Sequence, residues 1–290
     1  MKRVALITEL LGPDLSHGDS LLVPHLRQLN IHASPVPWDD PSVDWRAYDA
    51  LVLRACWHYP EQHERFRSWL NELERNDVAL WNEPQVVRWN MDKRYLKDLQ
   101  TRDVPVAPTV WLQKGASPDL NQVLQESGWQ AAVVKPQIST GSDNTWPVRS
   151  PAGREDQAQF DSLGRERALM VQKLIPEIAD GEWSLIFIEG QFAHAVLKVP
   201  GAGQIFVQEH RGGKTAPADA PAALVDQATE VVKVAEELTG RSLLYARVDG
   251  LWIDGMLVLM ELELIEPSLY MRHQPASAAR FATAIAGRVS

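Results

Sequence analysis

The 290-residue chain contains one cysteine, Cys56, which excludes an internal disulfide framework and any cysteine-built zinc site and points to a cytoplasmic protein. It has no uninterrupted apolar run near the roughly 20 residues that a membrane span needs, so no membrane partner is expected. In the opening MKRVALITELLGPD, Thr8 and Glu9 interrupt the apolar patch and no small-residue cleavage site follows, so it reads as a first strand. Positive charge is scarce. With 29 Lys and Arg against 38 Asp and Glu the net charge is -9, which argues against a nucleic-acid partner. Compact catalytic signatures are missing too: there is no GxSxG or HExxH, and the eight histidines lack metal-ligand spacing. RGGKT at Arg211 to Thr215 ends like a phosphate loop, but Gln208 stands where its first glycine belongs, and Pro217 and Pro221 fall where a helix should follow. GAGQIF at Gly201 has two of the three dinucleotide-loop glycines and reads as a flexible turn.

The composition that is present is that of a globular protein, 45% hydrophobic and 23% charged, and its length favours two or three subdomains over one simple core. Eleven tryptophans, among them Trp38, Trp45, Trp57, Trp69, Trp81 and Trp89, read as core and interface packing. Up to about residue 85, strand signals (VALIT, YDALVLR, Val78 to Trp81) alternate with helical ones (Ser20 to Leu29, Gln62 to Arg75), the pattern of a small parallel sheet. Ligands in that architecture gather past the strand C-termini, which singles out Arg54, Trp57 and His58. Residues 86 to 104 read as one or two helices, and VPVAPT as a linker. There follow a helix near Asp119 to Ser127, the strand AAVVK ending at Lys135, and the polar loop PQISTGSDNT with Gly141. From Ala168 the strands crowd together in an antiparallel pattern, with a hairpin across Glu189 and Gly190. A scaffold helix from Leu224 to Leu238 closes at Gly240, preceded by a surface loop at Ala216 to Ala223.

In MELELIEP, Met260 to Pro267, Glu261 and Glu263 share one face of a strand about 7 Å apart and repel by about 2 kcal/mol, so a positive partner is required. The preceding YARVDGLW forms a hairpin with this strand. A two-residue Asp-Gly turn would split Arg247 and Asp249 from Glu261 and Glu263. A three-residue loop pairing Trp252 with Met256 sets Arg247 opposite Glu261, gathers all four charges on one face, and leaves Ala246, Val248, Val258, Met260, Leu262 and Leu264 to bury. The expectation is therefore the three-residue loop. Asp249, Glu261 and Glu263 are hard oxygen ligands suited to Mg²⁺ or Mn²⁺, and the adjacent arginine suggests a phosphate as the metal's partner. Lys93, Lys135 and Lys198, at the ends of elements, are the candidate phosphate lysines.

From about Val86 to Tyr270, the order MVQKLIPEIADGEWSLIFIEG, VLK, YARVDG and MELELIEP resembles the ATP-grasp superfamily, closest to its glutathione synthetase and RimK-like branch. The resemblance implies a mixed α/β and α+β fold: an N-terminal Rossmann-like domain (1–88) that helps hold substrate, a central lid subdomain (89–167), and a C-terminal subdomain with the metal site (168–290). It implies that Lys93 and Lys135 bind ATP phosphates, Lys135 also the adenine edge, and that Gln172, Lys173, Leu174 and Ile175 cover adenine. Glu177, Asp180 or Glu182 would take the ribose, and the loop from Ser139 to Thr145, with Gly141, would close over the phosphates. Lys198 and Arg211 would face phosphate or substrate, Arg247 would stabilise the transferred phosphoryl group, and Asp249, Glu261 and Glu263 would hold two Mg²⁺ ions. Glu263 stands where many relatives have asparagine, and Gln172 replaces a common glutamate. The implied activity is ATP-dependent joining of a small carboxylate to an amine or thiol through an acyl phosphate. Two alternatives stay open. ELELIEPSLY is also similar to the cycloserine synthetase type, which closes a ring, and the same fold could serve a non-catalytic ATP-binding regulator. Arg54, Trp57, His58, Ser268, Tyr270 and Arg272 are the candidate substrate contacts, with homo-oligomerisation left open.

Overall fold

The computed structural model describes Met1 to Val289. Its first sheet is parallel, with strands β1 (Lys2–Thr8), β2 (Ile31–Pro37), β3 (Ala50–Leu53) and β4 (Leu80–Trp81) in the order β2-β1-β3-β4. The strand β2 has no counterpart in the sequence reading, because Pro35 and Pro37 break its pattern. It lies at the sheet edge, where a missing N–H is tolerated. Helices α1 (Leu22–Gln28) and α2 (His63–Arg75) flank this sheet in sequence. On α2, Phe66, Trp69, Leu70 and Leu73 form one buried stripe. That stripe packs on Trp38 and Trp45, with Trp38 meeting the Phe66 ring edge-on at 5.0 Å. Most of the tryptophans named above are thus packing residues, but Trp57 is 42% exposed.

After α3 (Pro84–Asn90) and α4 (Tyr95–Gln100), the VPVAPT segment is more than a linker. Ala107 N–H donates to the Leu259 carbonyl at 3.1 Å and Leu259 N–H to the Pro105 carbonyl at 2.8 Å, adding a short parallel bridge to a later strand. The middle sheet is antiparallel, with β5 (Thr109–Leu112), β6 (Ala131–Pro136), β7 (Trp146–Arg149) and β8 (Leu169–Lys173) in the order β5-β8-β6-β7. Its helices are α5 (Leu120–Ser127), capped by the Asp119 carboxylate, and α6 (Arg154–Glu166). Both β7 and α6 escape the sequence reading. The helix α6 buries only Phe160 and Gly164 and carries almost no apolar stripe.

The third sheet, also antiparallel, has the order β11-β10-β9-β12-β13. Its strands are β9 (Glu182–Ile188), β10 (Gln191–Val199), β11 (Lys214–Pro217), β12 (Tyr245–Ile253) and β13 (Met256–Glu263). The β9–β10 hairpin turns at Glu189 and Gly190 as expected, both with positive φ. The expected surface loop at Ala216 begins instead within the edge strand β11. Helix α7 (Ala222–Thr239) buries Leu224, Ala228, Val231, Val232 and Ala235 against this sheet and ends at Gly240 in the left-handed region. The last helix, α8 (Ala276–Arg288), packs against α1. Among the described residues no helix is long and apolar enough to cross a membrane.

The β12–β13 register corrects the expected one. The turn is the two-residue form: Ile253 pairs with Met256, Trp252 with Leu257, and Asp254 and Gly255 both have positive φ. Arg247 accordingly faces Glu263, and Asp249 faces Glu261. The charges still share a face because a β-bulge intervenes: Gly250 pairs with Leu259 and Asp249 with Glu261, so Met260 is one extra residue. Turnward of the bulge the buried residues are Leu257 and Leu259 rather than Val258 and Met260; beyond it Leu262 and Leu264 are buried as expected.

Candidate active site

All three sheets converge on one cavity of about 890 Å³. Its acidic floor comes from β12 and β13, where alternation sends Arg247 and Leu251 into the cavity while Val248 enters the core. Arg247 donates to both oxygens of Asp249 at 3.0 Å through Nε, to the Ser268 carbonyl at 3.1 Å, and to Glu263. The Tyr270 ring lies 5.6 Å beneath its guanidinium. Asp249 is 2% exposed and also accepts from the Ser184 hydroxyl, with Lys198 Nζ at 3.4 Å. Burial would raise its pKa, but Arg247 and Lys198 outweigh that and hold Asp249 down at about 2. Lys198 pairs more closely with Glu182, at 2.6 Å. Lys93, two residues before α4, bonds Glu261 at 2.9 Å and the Ser139 carbonyl at 2.7 Å. Glu261 and Glu263 are thus each held by a cation, Lys93 and Arg247 respectively.

The balance remains acidic. Burial and the neighbouring Asp249 and Glu261 carboxylates push Glu263 up to about 7, although Arg247 opposes them. Glu266 is raised as well, first by burial and then by Glu263. Among the described residues no three acidic or histidine side chains form a ready-made cation cage.

The other expected residues divide between cavity and periphery. Lys135, Ser139, Gly141, Gln172, Lys173, Leu174, Ile175 and Glu182 line the cavity. Gln172 is turned away from solvent, donating to the Thr109 hydroxyl at 3.2 Å. Burial lowers the Lys135 pKa despite the attraction of Glu261. Glu177 and Asp180 sit on an exposed turn after the β8 segment, Pro176–Asp180, and do not line the cavity, whereas Ile178 does. Arg211 also stands back from the lining. It donates to the Ser142 carbonyl at 2.8 Å and stacks over Phe206 at 4.4 Å, bracing the polar loop. Thr140 on that loop donates to the Trp57 carbonyl.

Of the six candidate substrate contacts, Trp57, His58, Ser268, Tyr270 and Arg272 line the cavity, and Arg54 does not. Arg54 is fully buried, with its Nε 2.8 Å from Asp19, its Nη2 2.7 Å from the Pro267 carbonyl, and the Tyr245 and Phe281 rings on its flanks. It ties the first sheet to the chain that leaves β13. The sequence reading overlooked Tyr95, whose hydroxyl accepts from Leu262 N–H at 2.9 Å, and the Ile205 to Glu209 stretch. That stretch lines the cavity, so GAGQIF leads into a wall of the site rather than a mere turn.

Comparison with known proteins agrees with this geometry. Residues 4–82 match the family described as D-cycloserine synthetase DcsG, N-terminal domain. Over 299 aligned residues the chain is 28% identical to the cycloserine biosynthesis protein DcsG of Streptomyces lavendulae, covering 99% of this chain and 98% of that protein. The crystal structure of D-cycloserine synthetase DcsG superimposes with a TM-score of 0.90 at 25% identity, covering 99% of this chain and 100% of that one. A glutathione synthetase of Rhodopseudomonas palustris is 27% identical over 78% of this chain and 68% of its own length. The D-alanine–D-alanine ligase of Bacillus anthracis complexed with ATP shares the fold at a TM-score of 0.69 and 15% identity, over 100% and 98% of the two chains. With its motifs in the expected order around one acidic cavity, the chain has the ATP-grasp fold and is an ATP-dependent ligase, similar over its whole length to D-cycloserine synthetase.

Proposed function

We propose that this ADP-forming C–N ligase phosphorylates the carboxylate of a small amino-acid-like substrate and then passes the acyl group to an amine, with Arg247, Lys93, Lys135 and Lys198 as its phosphate-facing cations. The observation that carries the proposal is the acidic floor, where Arg247, Glu261 and Glu263 line the cavity and Asp249, opposite Glu261, lies buried beneath Arg247 and Lys198. ATP would lie between the middle and third sheets, with adenine against the 172–175 segment. Of the ribose candidates Glu182 is the one on the cavity wall. The division into 1–88, 89–167 and 168–290 and a cytoplasmic location belong to the same proposal, although β8 hydrogen-bonds into the middle sheet.

The donor set fits a divalent cation. Asp249, Glu261 and Glu263 are hard oxygen ligands, and Glu263, raised first by burial and then by the neighbouring Asp249 and Glu261 carboxylates, has negative charge beside it that a cation would offset. When bound, one or two Mg²⁺ ions (or Mn²⁺) would neutralise the β- and γ-phosphates. Lys93 and Arg247 would then release Glu261 and Glu263 and turn to phosphate, an exchange of partners within one charge network. Arg247, already held by Asp249 and the Ser268 carbonyl, is placed to stabilise the phosphoryl group as the substrate carboxylate attacks it. The loop from Ser139 to Thr145 excludes water that would hydrolyse the acyl phosphate. Attack by an amine on the acyl carbon completes the reaction with loss of phosphate.

The likeness to D-cycloserine synthetase, end to end, favours a specific form of this chemistry in which carboxylate and nitrogen belong to one molecule and a ring closes. ADP release measured with a panel of L- and D-amino acids and small peptides, with product mass by mass spectrometry, separates ring closure from joining. A product one water lighter than its single substrate signifies cyclisation. ADP release that stays at background for every acceptor would contradict the ligase proposal and favour a regulatory binder.

A further inference from the structure

One cavity group has no part in phosphate handling. His58 is, among the described residues lining the cavity, the one imidazole. It is held from behind by Glu9, a carboxyl 3% exposed at the end of β1, which accepts from the His58 backbone N–H at 2.9 Å and meets ring Nδ1 at 2.6 Å. Both Glu9 oxygens are therefore spent on one residue, fixing the ring. The other nitrogen, Nε2, has no protein partner among the described residues, and the side chain is 46% exposed. The next residue back, Trp57, donates from its indole to the Glu266 carbonyl at 3.2 Å and accepts from Thr140 of the polar loop. These bonds place the imidazole beside the chain leaving the acidic strand, where that loop meets the first sheet.

A buried carboxylate that orients an imidazole with its far nitrogen facing a substrate cavity is the arrangement of a general base. We propose that His58, oriented by the positioning residue Glu9, takes the proton from the substrate nitrogen as it attacks the acyl phosphate. This rests on the ligase reading above. The new C–N bond forms as the acyl C–O bond to phosphate breaks; the electron pair leaves with phosphate, and the nitrogen's proton goes to Nε2. The cationic lysines and arginine of the floor cannot accept it. The groups acting on His58 are Glu9, whose hydrogen bond raises its pKa above 6.5 against some desolvation, with Glu61 and Asp143 adding to the rise. The base should therefore be lost, and the rate with it, as pH falls through a value above 6.5.

The test uses the full-length protein and the amino acid of the panel that releases ADP fastest, with its amine or with hydroxylamine, a nucleophile already neutral at pH 7. In His58→Asn and His58→Gln, hydroxamate formation should fall far less than turnover with the amine. Turnover with the amine should fall about 100-fold, and the acid limb of its kcat/KM profile should disappear. Glu9→Gln should move that limb to lower pH, which a merely structural role would not do. Unchanged amine turnover, an acid limb that persists without His58, or an equal loss of hydroxamate would overturn the assignment. Wild-type protein that makes neither ADP nor hydroxamate would instead overturn the ligase reading and remove the step this dyad serves.

Discussion

Two arginines that look alike in the sequence serve opposite ends. Arg54 directly follows β3, where a ligand contact is expected, yet it is sealed against Asp19, Tyr245 and Phe281. Arg247 lies mid-strand and faces the cavity. What separates them is Asp19, a carboxylate 35 residues away that no local pattern connects to Arg54. Arg54→Ala leaves Asp19 buried and unpaired, so urea unfolding should show a loss of about 3–5 kcal/mol. Arg247→Met likewise strips a buried carboxylate, Asp249, of its guanidinium and should lower the urea midpoint, but here ADP release by the folded protein should also fall at least ~100-fold. A third residue sets a pH limit. His194, buried on β10 with Nδ1 2.8 Å from the Ser277 hydroxyl, is lowered to about 4 by desolvation. Its folded pKa lies below the unfolded 6.5, so its contribution is complete above pH 6.5 and is lost as pH falls toward 4. Stability should drop by roughly 3 kcal/mol across that window from this group. In His194→Gln the drop, followed by chemical denaturation at each pH, should shrink accordingly.

At the scale of elements, what the sequence exposed was periodicity, and what it concealed was irregularity. The strands β1, β3, β6 and β9 were legible as short apolar runs, the helix α7 by its 3.6-residue apolar spacing, and the Glu189-Gly190 turn by its residues between two such runs. Hidden were β2 with its prolines, the polar helix α6, and the bulge at Met260. The bulge shows why register is hard to infer. The turn residues Asp254 and Gly255 favour a two-residue loop, and the grouping of charges favours a slipped register; one extra residue satisfies both. Gly250 is required there, since a Cβ would lie 2.4 Å from Leu257 Cδ1 and 2.8 Å from the Val258 carbonyl. Gly250→Ala should cost about 1–3 kcal/mol by thermal or urea unfolding and weaken nucleotide binding by displacing Glu261. Deleting Met260 removes the extra residue but leaves Asp249 opposite Glu261 and Arg247 opposite Glu263, so the deletion variant should fold and keep its charges on the cavity face. A folded deletion variant that has lost nucleotide binding would show that the bulge itself shapes the floor.

Across the whole molecule, the site exists only where three sheets meet. The first contributes Glu9, Trp57 and His58 around its strand ends, the middle one Lys135 and the 172–175 segment, and the third the acidic floor. Motif order revealed the second and third contributions, because strand ends and carboxylate spacing are local. The contacts that join them, such as Lys93 to Glu261 and Arg54 to the Pro267 carbonyl, span more than 160 residues and appear only in the fold. The central claim is that the floor binds a divalent cation together with ATP. Calorimetric titration of ATP into wild-type protein, with and without Mg²⁺, and into Asp249→Asn and Glu263→Gln tests it most directly. Affinity should rise at least tenfold with Mg²⁺ in the wild type and lose most of that rise in both variants. ATP binding that ignores Mg²⁺, or a Mg²⁺ response that survives both substitutions, would contradict it.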